Sequence, residues 1–344
     1  MTESVRVEAR GRATFIVLDR PGALNALNRE MVVAIHRALI DAIADPATDR
    51  IVIEGAGERA FCAGGDVVGL YHAGRAGSPD WEAFFHDEYR MNQAIQASPT
   101  DYVALLDGVT MGGGVGLSIH GRFRVATERT LFAMPETAIG MIPDVGGTHA
   151  LAQLPGEIGT WLALTGARLR AADCVYAGIA THFMPSERLP LLRDVLADSV
   201  EATHGILDTL ATDPGEAPLV VLREGIDFHF GHDRVEDIQA SLVDGDDWAR
   251  AQHDAIARMS PTSLKLALRG LRMARGGRLE SALRTEYRMV CALKAGRDFY
   301  EGVRAQLIDK DKAPLWSPAT LAEVDDAALA PYFLEPAGGD LRFD

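Results

Sequence analysis

The chain has 344 residues, 47% hydrophobic and 24% charged, which is enough apolar material for a sizeable core and enough length for two units of roughly 150 residues. Thirty-four Lys+Arg stand against 49 Asp+Glu, a net charge of −15, which argues against a nucleic-acid binder and against a polybasic membrane-surface protein. The only lysines are Lys265, Lys294, Lys310 and Lys312, so an anionic ligand must be met by a local arrangement and not by the overall field.

The first ten residues include Glu3 and Glu8 and no apolar run, so no leader is expected. Val5 to Ala9 alternates apolar and polar side chains as a half-exposed strand does, and Thr14 to Leu18 is a continuously apolar, buried strand broken by Asp19-Arg20-Pro21-Gly22. Asn28 is placed to cap a helix in which Met31, Ile35, Leu39 and Ile43 form one apolar face, ending near Asp45-Pro46. Ile51 to Ile53 reads as a strand, 81–97 as a helix and 102–106 as a strand. Alternating strands and helices with Gly-rich turns predict a layered α/β fold with crossover connections. Beyond about Leu154 the strand signal fades, and 156–176, 187–210 and most of 216–308 read as helical. The run Asp244 to Asp247 reads as a surface loop, and 335–344 as a loose tether. No stretch approaches the ~20 apolar residues of a membrane span. Cys62, Cys174 and Cys291 are odd in number with no CxxC pair, so disulfides and a structural zinc are not expected, and a reducing, cytoplasmic setting is.

Three Gly-rich strings stand out: Gly55 to Asp66, Met111-Gly112-Gly113-Gly114-Val115-Gly116, and Met134-Pro135-Glu136 through Gly140 to Pro143-Asp144-Val145-Gly146-Gly147. Gly55, Gly57 and Ala60 fit a dinucleotide fingerprint, but no amphipathic helix opens there, and there is no P-loop. Gly116-Leu117-Ser118-Ile119 stops short of a nucleophile elbow because His120 stands where the strained turn needs glycine, so Ser118 reads as a small packed residue. His229, His232 and Asp233 lack a metal-ligand pattern, and no metal is expected. Cys62 reads as a small buried residue because no His lies in the same word. Successive glycines before a helix aim peptide N–H groups at one point, and two such turns can form an oxyanion hole.

At these strings the chain resembles the crotonase (enoyl-CoA hydratase/isomerase) superfamily, and within it the 3-hydroxyisobutyryl-CoA hydrolase branch. The likeness continues through Ala163-Leu164-Thr165-Gly166, Ala177 to His182, Met259 to Lys265, Glu301 to Ala305 and Leu307 to Asp311, nearly the whole chain. It implies an α/β spiral of ββα units over 1–185 and a helical region over 186–344 that completes an acyl-CoA pocket. It also implies a thioester substrate, with CoA as part of the substrate and no separate cofactor. By motif, Gly65 and Gly113 match the oxyanion donors, and Ala63, Gly64, Asp66 and Glu88 match substrate contacts. Glu136 and Asp144 match the catalytic acids. Gly116 stands where hydratases carry their first Glu, whereas Asp144 matches the hydrolase branch. Glu136 would activate water or attack directly to form a mixed anhydride; Asp144 would orient the 3-hydroxyl or protonate the leaving thiolate. The expected reaction is hydrolysis of a short branched 3-hydroxyacyl-CoA in valine breakdown, with enoyl-CoA hydration or isomerisation as the alternative. Arg20 and Lys310 or Lys312 are the candidates for the CoA phosphates. The resemblance also raises a trimer or hexamer of this chain.

Overall fold

The computed structural model describes residues 3–343; Met1, Thr2 and Asp344, which belong to the two terminal readings above, lie outside the described residues. The strands are Val5–Arg10 (β1), Ala13–Leu18 (β2), Arg50–Gly55 (β3), Ala60–Cys62 (β4), Asp101–Leu106 (β5), Val109–Met111 (β6), Phe123–Ala126 (β7), Leu131–Ala133 (β8) and His182–Phe183 (β9). The helices of the first half are Arg29–Ala44 (α1), Val67–Arg75 (α2), Asp80–Gln96 (α3), Gly113–Gly116 (α4), Gly147–Ala152 (α5), Ile158–Thr165 (α6) and Ala171–Tyr176 (α7). Then follow Leu189–Asp198 (α8), Thr203–Leu210 (α9), Leu219–Phe230 (α10), Val235–Val243 (α11), Asp247–Ile256 (α12), Pro261–Ala274 (α13), Leu279–Leu293 (α14), Asp298–Val303 (α15) and Asp326–Leu329 (α16).

The chain forms two compact units. The first gathers 1–65, 90–132 and 168–220; the second gathers 66–89, 133–167 and 221–344. The single boundary read near residue 185 is replaced by this interleaving, for a packing reason. In the first unit, α8 and α9 lay Leu192, Leu196, Ile206 and Leu207 onto Phe15, Val52, Val103 and Val125 of the sheet, so they belong to its core. That sheet runs β1-β2-β3-β5-β7-β9. Only the β1–β2 hairpin is antiparallel; the β2–β3, β3–β5, β5–β7 and β7–β9 pairs are parallel, as crossover connections require. A smaller sheet runs β4-β6-β8. The buried Arg50 donates to the carbonyls of Leu196 (2.9 Å) and Glu201 (2.8 Å), holding the end of α8 to β3.

Local signals account for much of this. The Asn28 side chain accepts from Met31 N–H at 2.9 Å and starts α1, whose Met31, Ile35 and Leu39 are buried as their spacing predicts. The helical stretch 156–176 is divided at Gly166, a left-handed C-cap of α6 (φ 63°). The acidic run ends in a cap: the Asp246 carboxylate accepts from Ala249 N–H at 2.9 Å and opens α12. The tail is not a loose tether. Leu341 is fully buried, its carbonyl accepts from Arg284 Nε at 3.3 Å, and Asp340 is ion-paired with Arg288.

Candidate active site

In the first unit the parallel pairing of β4 with β6 sets two glycine turns side by side. The chain leaves β4 through Ala63-Gly64-Gly65 and leaves β6 through Gly112-Gly113. Gly64 has φ +115°, and a Cβ there would lie 3.4 Å from Met111 O and 3.8 Å from Gly113 N. A Cβ on Gly114 would lie 2.2 Å from Cys62 O, so only glycine lets α4 approach β4 this closely. The nearby hydrogen bonds, Leu27 N–H to Gly64 O (2.8 Å) and Ala63 N–H to Leu24 O (3.0 Å), do not use the Gly65 N–H. Gly113 opens α4, where an N–H has no intrahelical acceptor. Ser118 is buried and its hydroxyl donates to Gly114 O (2.9 Å) and Val115 O (3.1 Å), a packing role. Cys62 is a buried thiol without a disulfide.

In the second unit Glu136 opens a short 3-10 turn, Glu136–Ile139, closed by Gly140 in the left-handed region (φ 71°). A Cβ on Gly140 would sit 2.3 Å from the Asp298 carbonyl carbon, so this glycine seats the turn on α15. Ser260, at the head of α13, donates its N–H to Thr137 O (3.2 Å) and its hydroxyl to Asp298 (2.6 Å), tying the same turn to two helices. Asp144 lies just beyond. Its carboxylate accepts from the Tyr89 hydroxyl at 2.7 Å, and Tyr89 follows Glu88 on α3. Trp81 fixes the start of α3 by donating to Val290 O on α14 at 3.0 Å and by edge packing against Phe299. Asp66 caps α2 through Gly69 N–H at 3.1 Å.

The carboxyl groups of Glu88, Glu136 and Asp144 are all buried, and so is that of Glu286 on α14. Burial, with the Asp144 charge second, pushes Glu136 well above the usual carboxylate range, and the same causes in the same order raise Glu88. Burial raises Asp144 to about 6, opposed by the hydrogen bond from Tyr89. Burial raises Glu286 to about 7 against the donors it collects from Thr148 and Gly146. Glu136 Oε2 and Glu88 Oε1 are buried with no hydrogen-bond partner, which leaves two oxygen atoms open to a ligand or water. Two buried carboxyls that influence each other's protonation, eight residues apart in sequence, can divide into acid and base.

The predicted residues thus fall into two groups. Ala63, Gly64, Gly65 and Gly113 come together in the first unit, and Glu88, Glu136 and Asp144 come together in the second. The candidate cations lie in different settings. Arg20 is half-buried and donates to Ala26 O at 2.8 Å, whereas Lys310 and Lys312 are exposed and Lys312 donates to Gln306 O at 2.8 Å. Sequence reasoning passed over Tyr89 and Glu286. Glu286 did leave a signal, since it is an acid on the buried stripe Leu279, Leu283, Val290, Leu293 of α14.

The family model for enoyl-CoA hydratase/isomerase matches residues 13–333. Among curated proteins, the mitochondrial 3-hydroxyisobutyryl-CoA hydrolase of Rattus norvegicus is 46% identical over 352 residues, 99% of this chain and 91% of that protein. The Homo sapiens protein of the same name is 45% identical over 351 residues, with the same coverage. Among solved structures, a carnitinyl-CoA dehydratase from Mycobacterium thermoresistibile has a TM-score of 0.94 at 41% identity, covering 100% of this chain and 99% of that one. An enoyl-CoA hydratase from Rhodobacter sphaeroides 2.4.1 has a TM-score of 0.93 at 40% identity, covering 99% and 100%. These relatives confirm the expected crotonase fold. The curated names do not support the cytoplasmic expectation, being those of mitochondrial proteins; among the described residues no helix is long and apolar enough to cross a membrane. With the glycine turns, the acid words and the matched span in agreement, the chain belongs to the enoyl-CoA hydratase/isomerase family.

Proposed function

We propose that this protein is a 3-hydroxyisobutyryl-CoA hydrolase, cleaving the thioester to 3-hydroxyisobutyrate and CoA in valine breakdown. The observation that carries the reading is the acid pattern: Glu136 and Asp144 are both buried and electrostatically coupled, while position 116 is a glycine within α4 and offers no carboxylate. Near-full-length identity of 45–46% to curated hydrolases supports it.

In this scheme the Gly65 and Gly113 N–H groups polarise the thioester carbonyl; losing one such donor costs about 3–4 kcal/mol of transition-state stabilisation. Glu136 has its proton affinity raised by burial and by the Asp144 charge, and its Oε2 is buried without a hydrogen-bond partner. It takes a proton from water as the C–O bond forms, or attacks the carbonyl itself to give a mixed anhydride that water then opens. In either route the C–S bond breaks and the thiolate leaves with a proton. Asp144, held by Tyr89, supplies that proton or orients the 3-hydroxyl. Glu88, with an unpaired buried oxygen, contacts the acyl group. Water, two peptide donors and carboxyls balance the reaction, so the scheme calls on no resident metal or cofactor. Arg20 and Lys310 or Lys312 meet the CoA phosphates. The three free thiols suit a reducing compartment.

Enoyl-CoA hydration is the second reading, favoured by the descriptions of the two solved relatives at 40–41% identity. An assay offering 3-hydroxyisobutyryl-CoA and an enoyl-CoA separates the two. Free thiol from the first is expected; loss of the enoyl chromophore without thiol release would replace the hydrolase reading.

A further inference from the structure

Asp144 lies immediately before a backbone stretch that needs outside support. Val145 has φ 55° and Gly146 φ 77°, two consecutive residues in the left-handed region, the first of them β-branched. Such a conformation persists only where the surroundings over-determine it. Within the turn, Gly147 N–H donates to Asp144 O at 2.6 Å. Donors of Gly146 and Thr148 converge on a single carboxylate from α14, about 140 residues away in the chain. Glu286 Oε2 accepts from Gly146 N–H at 2.7 Å, and Oε1 accepts from Thr148 N–H at 2.9 Å and from the Thr148 hydroxyl at 2.5 Å. Glu286 is fully buried and sits on the apolar face of its helix, where an acid is costly unless it collects donors in this way.

We propose that Glu286 is the positioning residue for Asp144, clamping the Val145-Gly146 turn so that the Asp144 carboxylate is presented in one orientation, with Tyr89 as its partner. The catalytic consequence rests on the reading of Asp144 as a participant in thioester hydrolysis. The groups that face Asp144 are Tyr89 and Glu88 from α3, Glu136 from its 3-10 turn, and Glu286 from α14. The Asp144 charge raises the affinity of Glu286 for a proton, which adds an electrostatic readout to the geometric one.

The experiment compares the full-length protein with Glu286→Gln and Thr148→Val. Gln keeps the size of the side chain but presents an NH2 to a backbone N–H. Val removes one donor and keeps the charge. A displaced acid of this kind costs about 10- to 100-fold in rate. Glu286→Gln is therefore expected to lower kcat for thiol release on that scale with little change in KM, and to shift the Asp144 carboxyl 13C titration, because a displaced carboxylate loses the Tyr89 hydrogen bond that holds it down. Thr148→Val is expected to move both in a smaller amount, and it serves if Glu286→Gln does not fold. A folded variant with lower Tm but unchanged kcat and an unchanged Asp144 titration would overturn the proposal and leave Glu286 as a core contact only. The titration needs no substrate. A shifted titration in a protein that releases no thiol would uphold the clamp and refute the hydrolase reading instead.

Discussion

The two halves of the candidate chemistry rest on opposite physics. In the first unit, function is assigned to peptide N–H groups on Gly65 and Gly113, and the neighbouring Gly114 packs backbone against backbone, where a Cβ would lie 2.2 Å from Cys62 O. In the second unit, function is assigned to carboxyl side chains whose affinity for protons is set by burial and by one another. The first set does not titrate and depends on the close backbone approach that Gly114 allows. The second set titrates and accepts isosteric replacement. A substitution in the glycine turns should therefore scale the rate equally at all pH values, whereas one among the acids should bend the pH profile.

The largest effect is expected at Glu136. A general base contributes about 10²- to 10⁴-fold, so Glu136→Gln should lower kcat on that scale with KM nearly unchanged, read by thiol release. Gly114→Ala comes next. Its Cβ would meet Cys62 O at 2.2 Å, so α4 must move. The cost is about 1–3 kcal/mol in stability, and kcat should fall by about tenfold with the shape of the pH profile retained. A changed profile in Gly114→Ala would dissolve the distinction between the two units.

A third effect concerns stability. Glu286 and Asp144 bind protons more tightly folded than unfolded, so the native state holds more protons across the interval and stability falls as pH rises from about 5 to 7. The half-buried acids Glu157 and Glu301, held low by hydrogen bonds and nearby arginines that outweigh burial, change protonation below that interval. Tm should therefore be higher near pH 5 than near pH 7, and Glu286→Gln should flatten the slope; a Tm that rises over the same interval would contradict the buried-acid picture. The smallest effect is expected at the exposed cations. Lys310→Ala or Lys312→Ala should raise KM for acyl-CoA by about two- to fivefold, and less at high salt.

How legible all this was depended on the distance over which each signal acts. The Asn28 cap and the α1 periodicity are local and were read directly. The glycine turns and the words holding Glu136 and Asp144 are contiguous, so they too were visible. The interleaving of the two units was not, because α8 and α9 join the sheet core through contacts with strands more than 60 residues away. Tyr89 and Glu286 reach the acid site across 55 and 140 residues. The anchored tail depends on an Arg288–Asp340 pair 52 residues apart. The two-residue strand β9 is too short to show a period of its own.

The most direct test of the paired-acid account is the pH dependence of kcat/KM for thiol release in the wild type and in Asp144→Asn. The Asp144 charge helps to raise Glu136, so its removal should shift the acidic limb of the profile to lower pH while kcat falls. An acidic limb that stays where it is in a folded Asp144→Asn protein would show that the two carboxyls do not act as a pair.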